Sequence, residues 1–169
     1  MPSSTFRFLK PKEVFIYELS KNISDENLPK HERIIDNVKS LSKKIDLIIN
    51  KGGDDTYRFP QIDDITLLGF SQGTATASRY FMHTHHKIAK LIMWSGFPAH
   101  DLDYEQLKKK LLARPMSLVQ GKTDILRPEE PFKKTITDYE VMDLPFVLNW
   151  YDGGHAVDGE RLREVMMYK

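Results

Sequence analysis

Short apolar runs alternate along this chain with stretches in which apolar residues recur every three or four positions. The runs at Glu13 to Glu18, Ile65 to Gly69, Leu91 to Ser95, Met116 to Gln120 and Phe146 to Tyr151 are mostly β-branched or aromatic, as strands covered on both faces require. Between them the spacing predicts helices, which parallel neighbours need as crossovers. The first opens after Asn27 or Leu28, with Pro29 in its first turn, and its stripe of Ile34, Val38, Leu41, Ile45 and Ile48 ends at Gly52-Gly53. A second runs from about Gln72 to His83, and a third carries Tyr104, Leu107 and Leu111 and stops before Pro115. A fourth carries Phe132, Ile136 and Tyr139, and the last, from about Asp158 to Tyr168, turns Leu162, Val165 and Met166 inward. No Pro/Ser linker or internal repeat divides the pattern. The expected fold class is α/β: one domain over residues 1–169, a three-layer sandwich with a mostly parallel central sheet of about five strands and no separate lid.

Composition narrows the chemistry. With 169 residues the chain can bury a sizeable single core. Its 25 Lys+Arg against 24 Asp+Glu leave a net charge of +1, which offers no field to attract a nucleic-acid backbone or an acidic bilayer. The absence of cysteine excludes disulfides, thiolate metal sites and a cysteine nucleophile, and fits a reducing compartment. The N-terminus lacks the basic-then-apolar order of a signal peptide, and no apolar run approaches the roughly 18 residues of a membrane span. A cytoplasmic protein is expected.

One local pattern carries chemistry. Ile65 to Gly69 runs into Phe70-Ser71-Gln72-Gly73 and then into Thr74-Ala75-Thr76-Ala77, an apolar strand meeting Gly-x-Ser-x-Gly and a helix of small residues. A serine between strand and helix sits on a tight, strained corner, where Gly69 and Gly73 spare the Cβ atoms that would collide. Its hydroxyl then stands above the sheet edge, and the Gln72 amide points to where a tetrahedral oxyanion would form.

A serine needs a base, and the base needs an acid to orient it. His155, in Asp152-Gly153-Gly154-His155, follows the last strand at the sheet end where α/β proteins build sites. His83, His85 and His86 close the second helix and read as solvent-facing partners of its C-terminal dipole, while His31 and His100 read as exposed. Asp124 lies in the loop after the penultimate strand, with Gly121 turning the chain and Pro128 opening the next helix. There it can accept the imidazole N–H, although capping a turn would also account for it. Asp152 is its main rival, but three residues from His155 it is better placed to shape the loop.

In combination, Leu68-Gly69-Phe70-Ser71-Gln72-Gly73, Trp94-Ser95-Gly96-Phe97, Gly121-Lys122-Thr123-Asp124 and Gly153-Gly154-His155 resemble the phospholipase/carboxylesterase branch of the α/β-hydrolases, from about Val14 to the C-terminus. That branch includes small serine esterases and acyl-protein thioesterases. The resemblance implies a minimal α/β-hydrolase fold and a Ser71, Asp124, His155 triad acting through an acyl-enzyme, with no metal and no cofactor. The chain departs from the family at its front, where members carry further strands and a His-Gly segment that supplies a second oxyanion amide. No His-Gly pair occurs here, so the chain reads as N-terminally truncated, with a backbone N–H near Leu19 or Ser20 as the substitute donor. Missing strands would expose a sheet edge and invite a homodimer.

The leading reading is a serine carboxylesterase acting on small-molecule, short-chain acyl esters, with Phe70, Phe97, Leu126 and Val157 as apolar neighbours of the substrate. Those four would serve equally as ordinary core residues. The alternatives are an acyl thioesterase with the same triad and a catalytically weak hydrolase retained as a binding module. A nucleotide-binding flavodoxin-like domain fits poorly, because Leu19-Ser20-Lys21-Asn22 offers no Gly-rich phosphate loop.

Overall fold

A computed structural model describes residues 13–18 and 64–167, together with Lys39, Ser42 and Lys43. Among these the elements are β1 (Glu13–Glu18), β2 (Asp64–Phe70), α1 (Gly73–His83), β3 (Ile88–Trp94), α2 (Tyr104–Leu111), β4 (Met116–Gly121), α3 (Glu129–Val141), β5 (Phe146–Tyr151) and α4 (Gly159–Met167). The five strands form one sheet in the order β1-β2-β3-β4-β5, and every pairing is parallel. The expected first helix lies outside the described residues, apart from helical Lys39, Ser42 and Lys43.

Alternation along the strands divides the core between the two faces of the sheet. Ile65, Leu67, Leu91, Met93, Met116 and Leu118 face one way and pack with Ala77 and Tyr80 of α1, Leu107 and Leu111 of α2, and Phe132, Ile136 and Tyr139 of α3. Leu68, Ile92, Trp94, Val119 and Tyr151 face the other way, where Val165, Leu162 and Met166 of α4 cover them. Three layers result. Every residue of β4 is buried, the polar Ser117 and Gln120 together with Met116, Leu118 and Val119.

Helix ends follow local chemistry. The Asp103 carboxylate accepts from Gln106 N at 3.0 Å and caps α2, and Asp158 accepts from Arg161 N at 2.7 Å at the start of α4. Glu129 and Glu130 stand in the first turn of α3, where the helix dipole favours negative charge. At the end of α1 the expected dipole partner His83 is exposed, and the Phe81 and Met82 carbonyls accept instead from Lys110 Nζ at 3.0 and 2.7 Å.

β3 starts three residues before the expected Leu91, at Ile88, and ends at Trp94 rather than Ser95. The charge of Lys90 obscures this in the sequence. Its ammonium reaches past the sheet to the Val165 and Met166 carbonyls at 2.7 and 3.0 Å, satisfying the end of α4.

Candidate active site

The C-terminal ends of β2, β4 and β5 converge on Ser71, Asp124 and His155. Ser71 directly follows β2, with a left-handed backbone at φ 54°. Its N–H donates to Trp94 O at 2.8 Å, and its carbonyl accepts from Thr74 N at 3.2 Å and Thr74 Oγ1 at 2.6 Å. The corner therefore hangs between the next strand and the first turn of α1. A Cβ on Gly69 would stand 2.5 Å from Thr74 Cα and 2.8 Å from Gly73 O, so glycine is required by close approach. Gly96 is required for the same reason, since its Cβ would lie 2.6 Å from Ser71 O. Nothing local in the sequence shows this need at Gly96, because the neighbour comes from the corner after a different strand.

The loops that carry Asp124 and His155 are joined backbone to backbone. Lys122 N donates to Tyr151 O at 3.0 Å and Thr123 N to Gly153 O at 3.1 Å, and a Cβ on Gly121 would run into the Gly153 carbonyl. Gly153 likewise passes over the Tyr151 ring, where a side chain would collide, whereas Gly154 has ordinary room, its nearest neighbour being Thr123 O at 3.8 Å.

Within this frame His155 Nδ1 lies 2.8 Å from Asp124 Oδ2, and His155 Nε2 lies 3.0 Å from Ser71 Oγ. The Asp124 side chain is fully buried and that of His155 is 16% exposed. Burial pushes the Asp124 carboxyl upward. The His155 ring, the adjacent Ser95 hydroxyl and the Arg127 N–H outweigh burial and hold it below the ordinary carboxylate range. Ser95 Oγ acts on that charge without an aligned hydrogen bond of its own. The second carboxylate oxygen accepts from Leu126 N and Arg127 N, both at 3.0 Å. Gln120 Nε2 braces the loop by donating to Arg127 O at 3.0 Å and Gly121 O at 3.2 Å.

An ionised carboxylate only accepts, so in the neutral imidazole the proton belongs on Nδ1 and Nε2 is the atom left to accept from the Ser71 hydroxyl. The arrangement can draw a proton from that hydroxyl. The rival acid Asp152 is turned away, 87% exposed and paired with Lys122 Nζ at 2.8 Å.

The other expected site residues separate. Phe70 packs against the His155 ring with centroids 4.9 Å apart. Leu126 is 68% exposed beside Asp124. Phe97 stacks on Phe132 at 4.5 Å within the first core layer, and Val157 packs into the second. Gln72 stands exposed at the N-cap of α1, and its N–H meets no backbone acceptor among the described residues. Leu19 and Ser20 lie outside those residues, but β1 ends with Glu18 opposite Gly69, two positions before Ser71.

Among the described residues no group of three or more His, Cys, Asp or Glu side chains could hold a metal, and no helix is long and apolar enough to cross a membrane.

The serine hydrolase (FSH1) family model matches residues 35–162. No curated protein matches the chain in sequence. A variant of SOBER1 from Arabidopsis thaliana matches in structure with a TM-score of 0.53 at 15% identity, over 82% of this chain and 64% of that one. A second SOBER1 variant matches with a TM-score of 0.56 at 16% identity, over 88% and 69% of the two chains. YahD with malic acid matches with a TM-score of 0.52 at 20% identity, over 83% and 66%. The chain thus spans about two thirds of the length of these structures, and the likeness is one of fold.

Proposed function

The chain belongs to the serine hydrolase (FSH1) family and has the α/β-hydrolase fold, and from that premise we propose that it hydrolyses short-chain carboxylic esters through an acyl-enzyme. The observation that carries the proposal is the line from Ser71 Oγ through His155 to the buried Asp124 carboxylate, at 3.0 and 2.8 Å. Ser71 Oγ attacks the ester carbonyl while His155 Nε2 takes its proton, and Asp124 stabilises the imidazolium. The Gln72 N–H, at the positive end of α1, faces the developing oxyanion. Collapse breaks the bond to the alcohol, which leaves with the proton from His155. Water then repeats the sequence on the acyl-enzyme, releasing the acid and restoring the Ser71 hydroxyl.

The preference for short acyl groups is supported by the apolar surface that the described residues offer beside the triad. Among them Phe70 lies against the imidazole and Leu126 is mostly in solvent, so from these residues a long chain would gain contact on one side only. With p-nitrophenyl esters of increasing acyl length, kcat/KM is expected to be highest for acetate and butyrate; a rise toward long chains overturns the preference. The matching thioesters, run in parallel, test whether the oxygen ester is the better substrate; a higher kcat/KM for the thioesters makes the chain a thioesterase. Folded protein that neither hydrolyses these substrates nor reacts with a fluorophosphonate at Ser71 overturns the hydrolase reading.

A further inference from the structure

His155 sits at the apex of a three-residue turn, closed by Ala156 N donating to Gly154 O at 2.9 Å. Beneath the apex lie two buried aromatic residues from strands that are not neighbours, Trp94 at the end of β3 and Tyr151 at the end of β5, with β4 between them. Their rings are tilted against each other with centroids 5.3 Å apart. Tyr151 Oη lies 2.6 Å from Gly154 O and 2.6 Å from Ala156 O, the two carbonyls that flank His155. Trp94 Nε1 donates to Ala156 O at 2.8 Å and lies 3.2 Å from Tyr151 Oη.

The phenol has one proton and the indole one N–H, so two donors meet two carbonyls. The indole N–H goes to Ala156, its shorter contact, and the phenol proton is shared between the Gly154 and Ala156 carbonyls, being the donor of this pair that reaches Gly154. Each side of the apex is then tied to a different strand of the sheet.

We propose that Trp94 and Tyr151 act together as a clamp that positions His155 between Asp124 and Ser71, an inference that rests on His155 being the base of the proposed reaction. Neither residue touches the reacting atoms. Asp124 fixes the ring through Nδ1, while the clamp fixes the main chain from which the ring projects. Without the clamp, rotation of residues 154–156 would lengthen both contacts of the imidazole. A displacement of that kind near reacting groups costs roughly 10- to 100-fold in rate.

Tyr151→Phe keeps the ring and deletes only the proton donor, and Trp94→Phe deletes the indole N–H. Each is expected to lower kcat by ~10- to 100-fold while KM stays within about twofold, because substrate binding does not use the clamp. A second readout needs no catalysis: the low-field Nδ1 proton of His155, identified by its loss in His155→Ala, should be sharp in Ser71→Ala and broadened by exchange in Ser71→Ala/Tyr151→Phe. If both clamp variants keep wild-type kcat and the low-field proton stays sharp, the clamp is overturned. Should the variants fail to fold, hydrogen exchange in the unaltered chain decides: the Ala156 amide should be protected like those of β5, and rapid exchange overturns the proposal. A sharp low-field proton lost in the double variant, in a wild-type chain that hydrolyses nothing, would uphold the clamp and refute the esterase.

Discussion

β2 and β3 lie side by side, and each is followed at once by a serine with a left-handed backbone, Ser71 at φ 54° and Ser95 at φ 49°. Each donates its N–H to a residue of the next strand, Ser71 to Trp94 O and Ser95 to Val119 O, both at 2.8 Å. Ser71 is half-exposed and faces an imidazole, whereas Ser95 is fully buried and its hydroxyl borders the Asp124 carboxylate. Left-handed backbone at a non-glycine residue costs about 1–2 kcal/mol wherever it occurs, so strain does not tell the two corners apart. Exposure and partner do. The second corner also supports the first, because Gly96, directly after Ser95, lies flush against the Ser71 carbonyl.

The sharpest test of the comparison is Ser71→Gly, which relieves the strain and removes the hydroxyl. Hydrolysis of p-nitrophenyl acetate is expected to fall by ~10⁵-fold or more while the melting temperature holds or rises; retention of a tenth of the activity would refute the assignment of the nucleophile. Next in size is Asp124→Asn, whose carboxylate serves both corners. Exchanging a triad carboxylate for an amide disturbs the imidazole tautomer and costs ~10⁴-fold in kcat.

The same carboxyl group links stability to pH. Its folded value lies below the ordinary 3.8, so its contribution is complete above the unfolded value and is lost as pH falls through the folded one. Urea melts should show the wild-type advantage over Asp124→Asn shrinking only on the acid side of about pH 4. An advantage that shrinks toward alkaline pH instead would contradict the lowered value.

Ser95→Gly is the counterpart of the first substitution with the smaller outcome. Stability should rise by about 1 kcal/mol, and kcat should fall by less than ~10-fold, since only one of several groups that favour the Asp124 charge is lost. A loss as large as that of Ser71→Gly would erase the distinction between the corners. Smallest of all is Asp152→Asn, expected to change kcat by less than twofold, because its carboxylate is turned to solvent and paired only with Lys122. Loss of activity there would make Asp152, and not Asp124, the acid.

Much of this was legible in the sequence because the signals are local. Short, mostly apolar runs place β4 and β5 within a residue, and the stripe Phe132, Ile136, Tyr139 matches the buried side of α3. Ser71, in Gly-x-Ser-x-Gly, follows β2 directly, and Asp124 and His155 come within four residues of the ends of β4 and β5, which makes them candidates in the sequence. Asp152 follows β5 directly as well, so position alone does not choose among them. What stayed hidden depends on tertiary proximity. Lys90 reads as a break in a strand until α4 supplies carbonyls for its ammonium. Trp94 and Tyr151 read as apolar strand ends, and nothing in their spacing shows that an indole and a phenol from strands separated by a third meet beneath one turn. For Phe97 and Val157 the sequence leaves open a place beside the substrate or in the ordinary core, and it cannot say that they pack into opposite layers of that core. The expected second oxyanion donor near Leu19 or Ser20 lies outside the described residues.

The main-chain zipper between Lys122 and Tyr151 and between Thr123 and Gly153 gives Asp124 and His155 a common fate. Both belong to one contiguous stretch, 116–157, whose ends are tied by peptide groups rather than by replaceable side chains. That stretch is a portable cassette. Grafted as a whole onto another parallel sheet of the same strand spacing, it would bring Asp124 and His155 together and ask of its host an alcohol at the adjoining corner and an indole N–H, like that of Trp94, beneath the turn.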